Sequence, residues 1–208
     1  MRNRTEDQVT LVFIRHGETQ ANRERRYLGR TDEGLSESGI EILRAYKEKK
    51  NYPAVEYLFS GPMKRCMETA KILYPNLCPV VIPEWTEIDF GRFEYKNYEE
   101  LKKDKQYQAW IDSGGMQAFP GGESREAFIR RCESGFIRMC GILRKAAGQK
   151  GDEPVRAGLI VHGGTIMALL SSYGEGQYFD HQVSNGRGYL CQMRGRGSQM
   201  RIEEAAEL

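Results

Sequence analysis

The sequence predicts a single α/β domain of three layers, α/β/α, around a mainly parallel sheet. A chain of 208 residues is long enough to bury one sizeable core, so one domain over residues 1–208 is expected. Strand and helix patterns alternate through most of the chain, as they do around a parallel sheet. The first strand pattern, Val9 to Ile14, leaves no face for solvent, which is typical of a strand buried on both faces.

Two helices and two strands are predicted after this first strand. Ser36 and Ser38 are candidate N-caps of the first helix. A strand is predicted over Ala54 to Phe59, and Pro62 suits the first position of the second helix. A short strand is predicted at Val80 to Ile82.

The second half continues the alternation. One polar helix is predicted over Asn97 to Ile111, and a long helix follows the PGGES segment at residues 120–124. The apolar stripe of the long helix consists of Phe128, Cys132, Phe136, Met139, Cys140 and Leu143. Leu159 to Val161 predicts a strand. The strand-like runs Gly188 to Met193 and Gln199 to Ile202 predict a closing hairpin.

Composition excludes several classes of protein. The 31 Lys and Arg nearly balance the 29 Asp and Glu, giving a net charge of +2, so no nucleic-acid or acidic membrane partner is expected. No segment has the pattern of a signal peptide or a membrane span. The five cysteines include no pair separated by only two residues, which predicts reduced, mostly buried thiols in a cytoplasmic protein.

Two of the three histidines follow predicted buried strands. His16 and His162 each lie just past such a strand and directly before a glycine. Ligands bind outside the carboxyl ends of parallel strands, so both side chains are expected in one crevice. Arg15 and Arg65 are expected to reach the same crevice. Each residue alone has an ordinary interpretation, as a packed histidine or a solvated arginine, whereas the four together favour a site for a dianionic phosphoryl group.

Four ordered motifs lie along the chain. They are RHGET at residues 15–19 with Asn22 behind it, SGPMKR at 60–65, EIDFGRFE at 87–94 and HGG at 162–164. Together they resemble the motifs of the histidine phosphatase superfamily, which includes cofactor-dependent phosphoglycerate mutases and many phosphatases. The resemblance implies a phosphoglycerate mutase-like fold.

Three positions depart from the pattern of that family. Gly61 and Glu68 stand where a serine and a glutamine are usual, and Tyr95 stands where a glycine usually follows Glu94. The family mutases carry a long insertion between the third and fourth motifs, which this chain lacks. A phosphatase is therefore favoured over a mutase.

The resemblance implies a role for each motif. His16 would be the nucleophile, with one neutral ring nitrogen attacking while the other donates to a backbone carbonyl. Glu87 would be the proton donor to the leaving oxygen. His162 would serve best in its protonated form. The implied phosphate-binding residues are Arg15, Asn22, Arg65, His162 and Gly163. No cofactor and no metal are implied, since the histidines lack ligand spacing and the arginines supply positive charge.

The sequence leaves several substrate classes open. The chain resembles most the α-ribazole phosphatase group of cobalamin assembly, while a broad-specificity sugar or phosphoglycerate phosphatase or mutase, and a non-catalytic phosphate-binding module, stay open. Aromatic residues after the third motif form either a substrate wall or core, and these are Tyr95, Tyr98, Tyr107, Trp110 and Phe119. The expected partner is a phosphorylated small molecule, without nucleic acid or membrane, and both a monomer and a homodimer stay open.

Overall fold

A six-stranded sheet lies between helices in the computed structural model, which describes residues 9–147, 155–195 and 200–208. The strand order is β3-β2-β4-β1-β5-β6. The first four strands in this order are parallel, and β5 and β6 are antiparallel to their neighbours. The strands are β1 Val9–Arg15, β2 Tyr57–Ser60, β3 Val80–Val81, β4 Val155–Val161, β5 Gly188–Arg194 and β6 Arg201–Glu207.

Seven α-helices and three short 3-10 helices connect these strands within the described residues. The α-helices are α1 Gln20–Arg23, α2 Glu37–Glu48, α3 Lys64–Leu73, α4 Tyr98–Leu101, α5 Lys105–Asp112, α6 Arg125–Ala147 and α7 Gly163–Tyr173. The 3-10 helices are Pro83–Trp85, Gly91–Phe93 and Tyr178–His181. None of the helices that can be described is both long enough and apolar enough to cross a membrane.

Strand β1 shows how the sheet separates two apolar clusters. Leu11 and Phe13 pack in a cluster with residues of α6 and α7, whereas Val12 and Ile14 pack in a second cluster with residues of α2 and α3. Alternate residues of a strand point to opposite faces, so both faces of β1 are covered by helices. The predicted three-layer α/β/α class is confirmed.

Of the two candidate caps of helix α2, Ser36 is confirmed, since its Oγ accepts from Gly39 N at 3.0 Å, while the Ser38 hydroxyl donates to Glu18 instead. Several other predicted boundaries are wrong. Helix α3 begins at Lys64 behind an extended Met63, two residues after the predicted Pro62.

The helix predicted over residues 97–111 is two helices. Asp104 accepts from the backbone N–H groups of Gln106 and Tyr107, so a new helix begins there. The strand predicted over 54–59 is shorter and covers Tyr57–Ser60, and the one predicted over 80–82 covers Val80–Val81. The closing hairpin is confirmed as β5 and β6, although the predicted Gln199 lies outside the described residues. Four of the five cysteines are buried, as predicted, and Cys78 is exposed.

The topology places the carboxyl ends of three strands side by side. Strands β2, β4 and β1 are neighbours and run parallel, so their carboxyl ends lie at one edge of the sheet. The segments that follow β1, β2 and β4 begin with His16, Gly61 and His162, and Arg15 is the last residue of β1. The candidate site is built there.

Candidate active site

The two predicted histidines and their charged partners meet at the carboxyl ends of the strands. The ring centroids of His16 and His162 are 5.1 Å apart and their planes meet at 70°. The Nε of Arg65 lies 3.3 Å from His162 Nδ1, and Oε2 of Glu87 lies 3.9 Å from the same nitrogen. All four side chains are buried. The predicted convergence is therefore observed, and Glu87 takes part in it.

His16 is held in one neutral tautomer. Its Nδ1 lies 2.7 Å from the carbonyl oxygen of Gly17, so Nδ1 carries the proton and donates it, as the sequence predicts. Burial and the nearby positive charges of Arg65 and Arg15 hold the pKa of His16 well below its usual range. The Nε2 atom consequently keeps its lone pair at neutral pH and is free of a proton.

A buried threonine fixes the peptide that holds His16. The Oγ1 of Thr69 accepts from Gly17 N at 2.9 Å and donates to the Arg65 carbonyl at 2.7 Å. The loop that carries His16 is thereby tied to helix α3. Thr69 is not among the predicted site residues, although it belongs to the ETA segment at 68–70 that follows the second motif.

Arg65 is anchored by the loop that follows α1. Its two terminal nitrogens donate to Gly29 O at 2.8 Å and to Thr31 O at 2.9 Å. The carboxylate of Glu94 in turn accepts from the N–H groups of Gly29 and Thr31 at 3.0 Å. The guanidinium of Arg65 therefore has a fixed direction before any ligand binds.

Arg15 has a buried donor without a hydrogen-bond partner in the part of the chain that the structure describes. Its Nη1 donates to Val183 O at 2.7 Å, whereas its buried Nε has no hydrogen-bond partner among the described residues. A Cβ built on Gly163 would lie 3.4 Å from that Nε. Since a buried unpaired donor is costly, this N–H suits an anionic ligand at the N-terminus of α7.

The amide of Asn22 has a defined orientation. Its Oδ1 accepts from Thr19 N at 3.2 Å and from Asn185 Nδ2 at 3.0 Å, which leaves the Nδ2 group as the donor for a ligand. Asn185 also donates to His16 O at 3.1 Å. Asn185 follows no motif, so no signal in the sequence identifies it.

His162 differs from the expectation that it is protonated. The donation from Arg65 to Nδ1 requires that nitrogen to be unprotonated. Burial, together with the charges of Arg65 and Arg15, holds the pKa of His162 well below its usual range. His162 is therefore neutral and carries its proton on Nε2. The negative charge of a bound dianionic phosphoryl group offsets the positive charges of the arginines, and it therefore raises the pKa of His162.

Glu87 has an environment that favours the protonated form of its carboxyl group. Burial raises its pKa, and this effect outweighs the N–H of Ile88, at 3.0 Å from Oε1, and the nearby charges of Arg65 and Arg15. A protonated carboxyl next to the histidine pair is able to donate to a leaving oxygen.

A cavity of ≈ 510 Å³ opens beside these groups, and Arg15, Glu87 and Gly163 form part of its wall. Trp110 and Phe119 also line it. The remaining cavity aromatics are Tyr27, Phe90, Tyr178 and Phe179.

The five aromatic residues after the third motif, predicted as either substrate wall or core, do not all lie in one of these two places. Trp110 and Phe119 contact the cavity, Tyr107 is buried in the core, and Tyr95 and Tyr98 are exposed. Across the described ranges, no three His, Cys, Asp or Glu side chains form a group suited to a metal ion.

The fold and site define an α/β protein whose ligand site lies at the carboxyl ends of parallel strands. Within that class the chain belongs to the histidine phosphatase superfamily (branch 1), whose sequence profile matches residues 11–203.

Relatives of this chain carry phosphatase and mutase names. The adenosylcobalamin/alpha-ribazole phosphatase of Escherichia coli (strain K12) is 30% identical over 135 residues, which are 63% of this chain and 66% of that protein. The chain thus spans slightly less than two thirds of that relative's length.

Two solved structures are similar over nearly the whole chain. The alpha-ribazole phosphatase from Shigella flexneri has a TM-score of 0.73 and 22% identity over 95% of both chains, a likeness of fold. A phosphoglycerate mutase from Thermus thermophilus has a TM-score of 0.65 and 29% identity, over 96% of this chain and 98% of that one.

Proposed function

We propose that this protein is a metal-independent phosphatase that hydrolyses a small-molecule phosphomonoester through a phosphohistidine at His16. The observation that carries the proposal is the state of His16. Its Nδ1 proton is engaged by Gly17 O at 2.7 Å, and its Nε2 is unprotonated beside the guanidinium groups of Arg15 and Arg65. That is the form in which an imidazole attacks phosphorus.

In the first step, His16 Nε2 forms a bond to phosphorus while the bond from phosphorus to the ester oxygen breaks. Glu87 gives its proton to the departing oxygen, so the alcohol leaves neutral. Charge on the equatorial oxygens is stabilised by the phosphate-binding residues Arg15, Asn22, Arg65, His162 and Gly163, an effect that dominates phosphoryl transfer.

In the second step, water attacks the phosphohistidine. The Glu87 carboxylate accepts a proton from that water, the bond between phosphorus and Nε2 breaks, and inorganic phosphate forms. His16 returns to its neutral tautomer and Glu87 to its protonated form. A non-catalytic phosphate-binding module would need neither an unprotonated nucleophile nor a buried acid, which supports an enzyme.

The substrate we propose is α-ribazole 5'-phosphate. The wall of aromatic side chains beside Glu87 suits a leaving group with a flat apolar ring. The names of the Escherichia coli and Shigella flexneri proteins point the same way. The proposal includes a cytoplasmic enzyme of one domain over residues 1–208, acting without nucleic acid or membrane partners.

A phosphorylated acid such as phosphoglycerate is the second candidate. Arg125 lines the same cavity, and a guanidinium there suits a carboxylate. Sugar phosphates are compared with these two candidates, because their leaving groups have no flat apolar ring and so test whether the aromatic wall contributes to substrate binding.

The decisive experiment is the detection of acid-labile phosphate on His16. Wild-type protein is mixed with substrate in the presence of a chelator, quenched within one turnover and mapped by mass spectrometry. We expect phosphate on His16, no turnover by His16→Ala, and no change in rate with chelator. Phosphate on another residue, an active His16→Ala variant, or activity restored by one added metal would contradict the proposal.

A panel of substrates then ranks the candidates. Phosphate release is measured from α-ribazole phosphate, 3-phosphoglycerate, several sugar phosphates and a nitrophenyl phosphate. The highest kcat/KM is expected for α-ribazole phosphate. A preference for 3-phosphoglycerate that Arg125→Met removes would favour the second candidate instead.

A further inference from the structure

The segment that carries Glu87 has no regular secondary structure of its own. It follows the 3-10 helix Pro83–Trp85 and precedes the one at Gly91–Phe93. An irregular segment supplies few backbone hydrogen bonds to hold its side chains, so the carboxyl of Glu87 needs support from elsewhere in the fold.

One side chain supplies much of that support. Arg131, on helix α6, donates from Nη1 to the carbonyls of Glu84 and Thr86, each at 2.7 Å. Its Nη2 also reaches the carbonyl of Glu87 at 3.4 Å. A single guanidinium thus binds two carbonyls that precede Glu87 and the carbonyl of Glu87 itself.

Arg131 is itself held in a bidentate ion pair. Its Nε and Nη2 donate to the two carboxylate oxygens of Glu123 at 3.0 and 2.7 Å. The guanidinium also lies 5.1 Å from the ring centroid of the buried Phe128. Both partners are largely shielded from solvent, so the pair is more rigid than an exposed ion pair.

Glu123 also contacts the Glu87 segment directly, on the side that follows Glu87. Its backbone N–H donates to Asp89 O at 2.9 Å. The Arg131–Glu123 pair therefore contacts the Glu87 segment before, at and after Glu87. It does so without lining the cavity of ≈ 510 Å³ beside the site.

We infer that the Arg131–Glu123 pair positions Glu87 for proton donation to the leaving oxygen, so that both are positioning residues for the reaction. The inference rests on the proposed function. It assigns a role to Glu123 of the PGGES segment, a residue that lies outside the four motifs.

The test compares two substrates whose leaving groups differ in their need for a proton. An alkyl phosphate needs the acid, whereas a nitrophenyl phosphate departs without it. Phosphoenzyme formation is measured in single turnovers for wild type, Arg131→Met, Glu123→Gln and Glu87→Gln. We expect Glu87→Gln to slow the alkyl substrate by about 10² to 10⁴-fold and the nitrophenyl substrate much less.

Arg131→Met and Glu123→Gln are expected to show the same selectivity, with a loss of about 10- to 100-fold on the alkyl substrate. Combined with Glu87→Gln, neither should change the ratio between the two substrates further, because the group they position is gone. Glu123→Gln keeps the cation and the shape of the pair, so it remains informative if Arg131→Met does not fold.

Arg138→Met is the matched control. Arg138 lies on the same helix and pairs with the Glu84 carboxylate at 3.1 Å, but it donates to none of the carbonyls that Arg131 holds. Its substitution should leave the substrate ratio unchanged.

The two possible failures are distinguishable. Equal slowing of both substrates by Arg131→Met and Glu123→Gln, with Glu87→Gln still selective, would overturn the inference alone. Equal slowing of both substrates by Glu87→Gln would show that Glu87 is not the acid, and would overturn the inference together with that part of the proposed function.

Discussion

His16 and Glu87 are each held by their neighbours in the form that the proposed chemistry requires. His16 is neutral because burial and two guanidinium groups oppose a further charge, and Glu87 favours its protonated form because burial outweighs those same cations. The arginines therefore act before substrate arrives, through their effect on the histidines. A single change at Arg65 would raise the pKa of His16 and also remove a cation that binds phosphate.

Tyr95 has a backbone conformation that favours glycine. It has a φ of +59°, the left-handed region that suits glycine, and stands where the family usually has one. The Arg26 guanidinium lies 5.4 Å from its ring centroid and donates to its carbonyl at 2.8 Å. The cation–π contact offsets part of the strain.

We predict that Tyr95→Gly is more stable than Tyr95→Ala by about 1 kcal/mol. Alanine keeps the strained φ and loses the ring, whereas glycine relieves the strain. At an ordinary exposed position the order is the reverse, since glycine costs more chain entropy. Urea unfolding of the two variants measures the difference, and a more stable alanine variant would contradict the assignment of strain.

At the scale of elements, helix α7 is packed closely against the candidate acid. A Cβ built on Gly164 would lie 2.5 Å from Oε1 of Glu87 and 3.1 Å from the ring of Phe128. A Cβ on Gly163 would meet Arg15 only at 3.4 Å. The second glycine of the HGG motif therefore provides space for Glu87, while the first allows contact with Arg15.

We predict that Gly164→Ala lowers the free energy of unfolding by about 1 to 3 kcal/mol through overpacking, and displaces Glu87. Activity should fall more for alkyl than for nitrophenyl phosphates. Gly141→Ala is the control, because nothing lies within 4 Å of a Cβ at that position of α6, and it should stabilise by up to about 1 kcal/mol. Unchanged stability of Gly164→Ala would mean that α7 shifts freely.

Sequence patterns predict the elements that carry the site better than the contacts that support it. The buried strands β1 and β4 and the glycines behind them place His16 and His162 correctly. The break at Asp104 is missed because a capping aspartate within a polar helix pattern resembles any other polar residue. The contacts of Thr69, Asn185 and Arg131 depend on packing between distant segments, which no local pattern encodes.

For the whole molecule, the buried site makes stability depend on pH. Unfolding returns His16 and His162 to a pKa near 6.5, above their folded values. Their contribution to stability is full above that pH and is lost as pH falls, since the unfolded chain takes up protons that the fold excludes. Glu87 acts in the opposite direction, because its folded pKa is above 4.5 and its stabilising effect is lost as pH rises.

We predict that stability falls between about pH 6 and pH 5 by about 1.4 kcal/mol per pH unit for each net proton taken up on unfolding. Among these three site groups, the two histidines each take up a proton and a protonated Glu87 releases one, so together they take up one proton. Glu87→Gln removes the opposing release and should make the slope steeper. Urea unfolding across this range measures both slopes. A His16→Gln, His162→Gln double variant is the control, and it should lose the part of the slope that the two histidines contribute. Equal slopes in wild type and Glu87→Gln would mean that Glu87 is already ionised in this range, and an ionised Glu87 has no proton to give to a leaving oxygen.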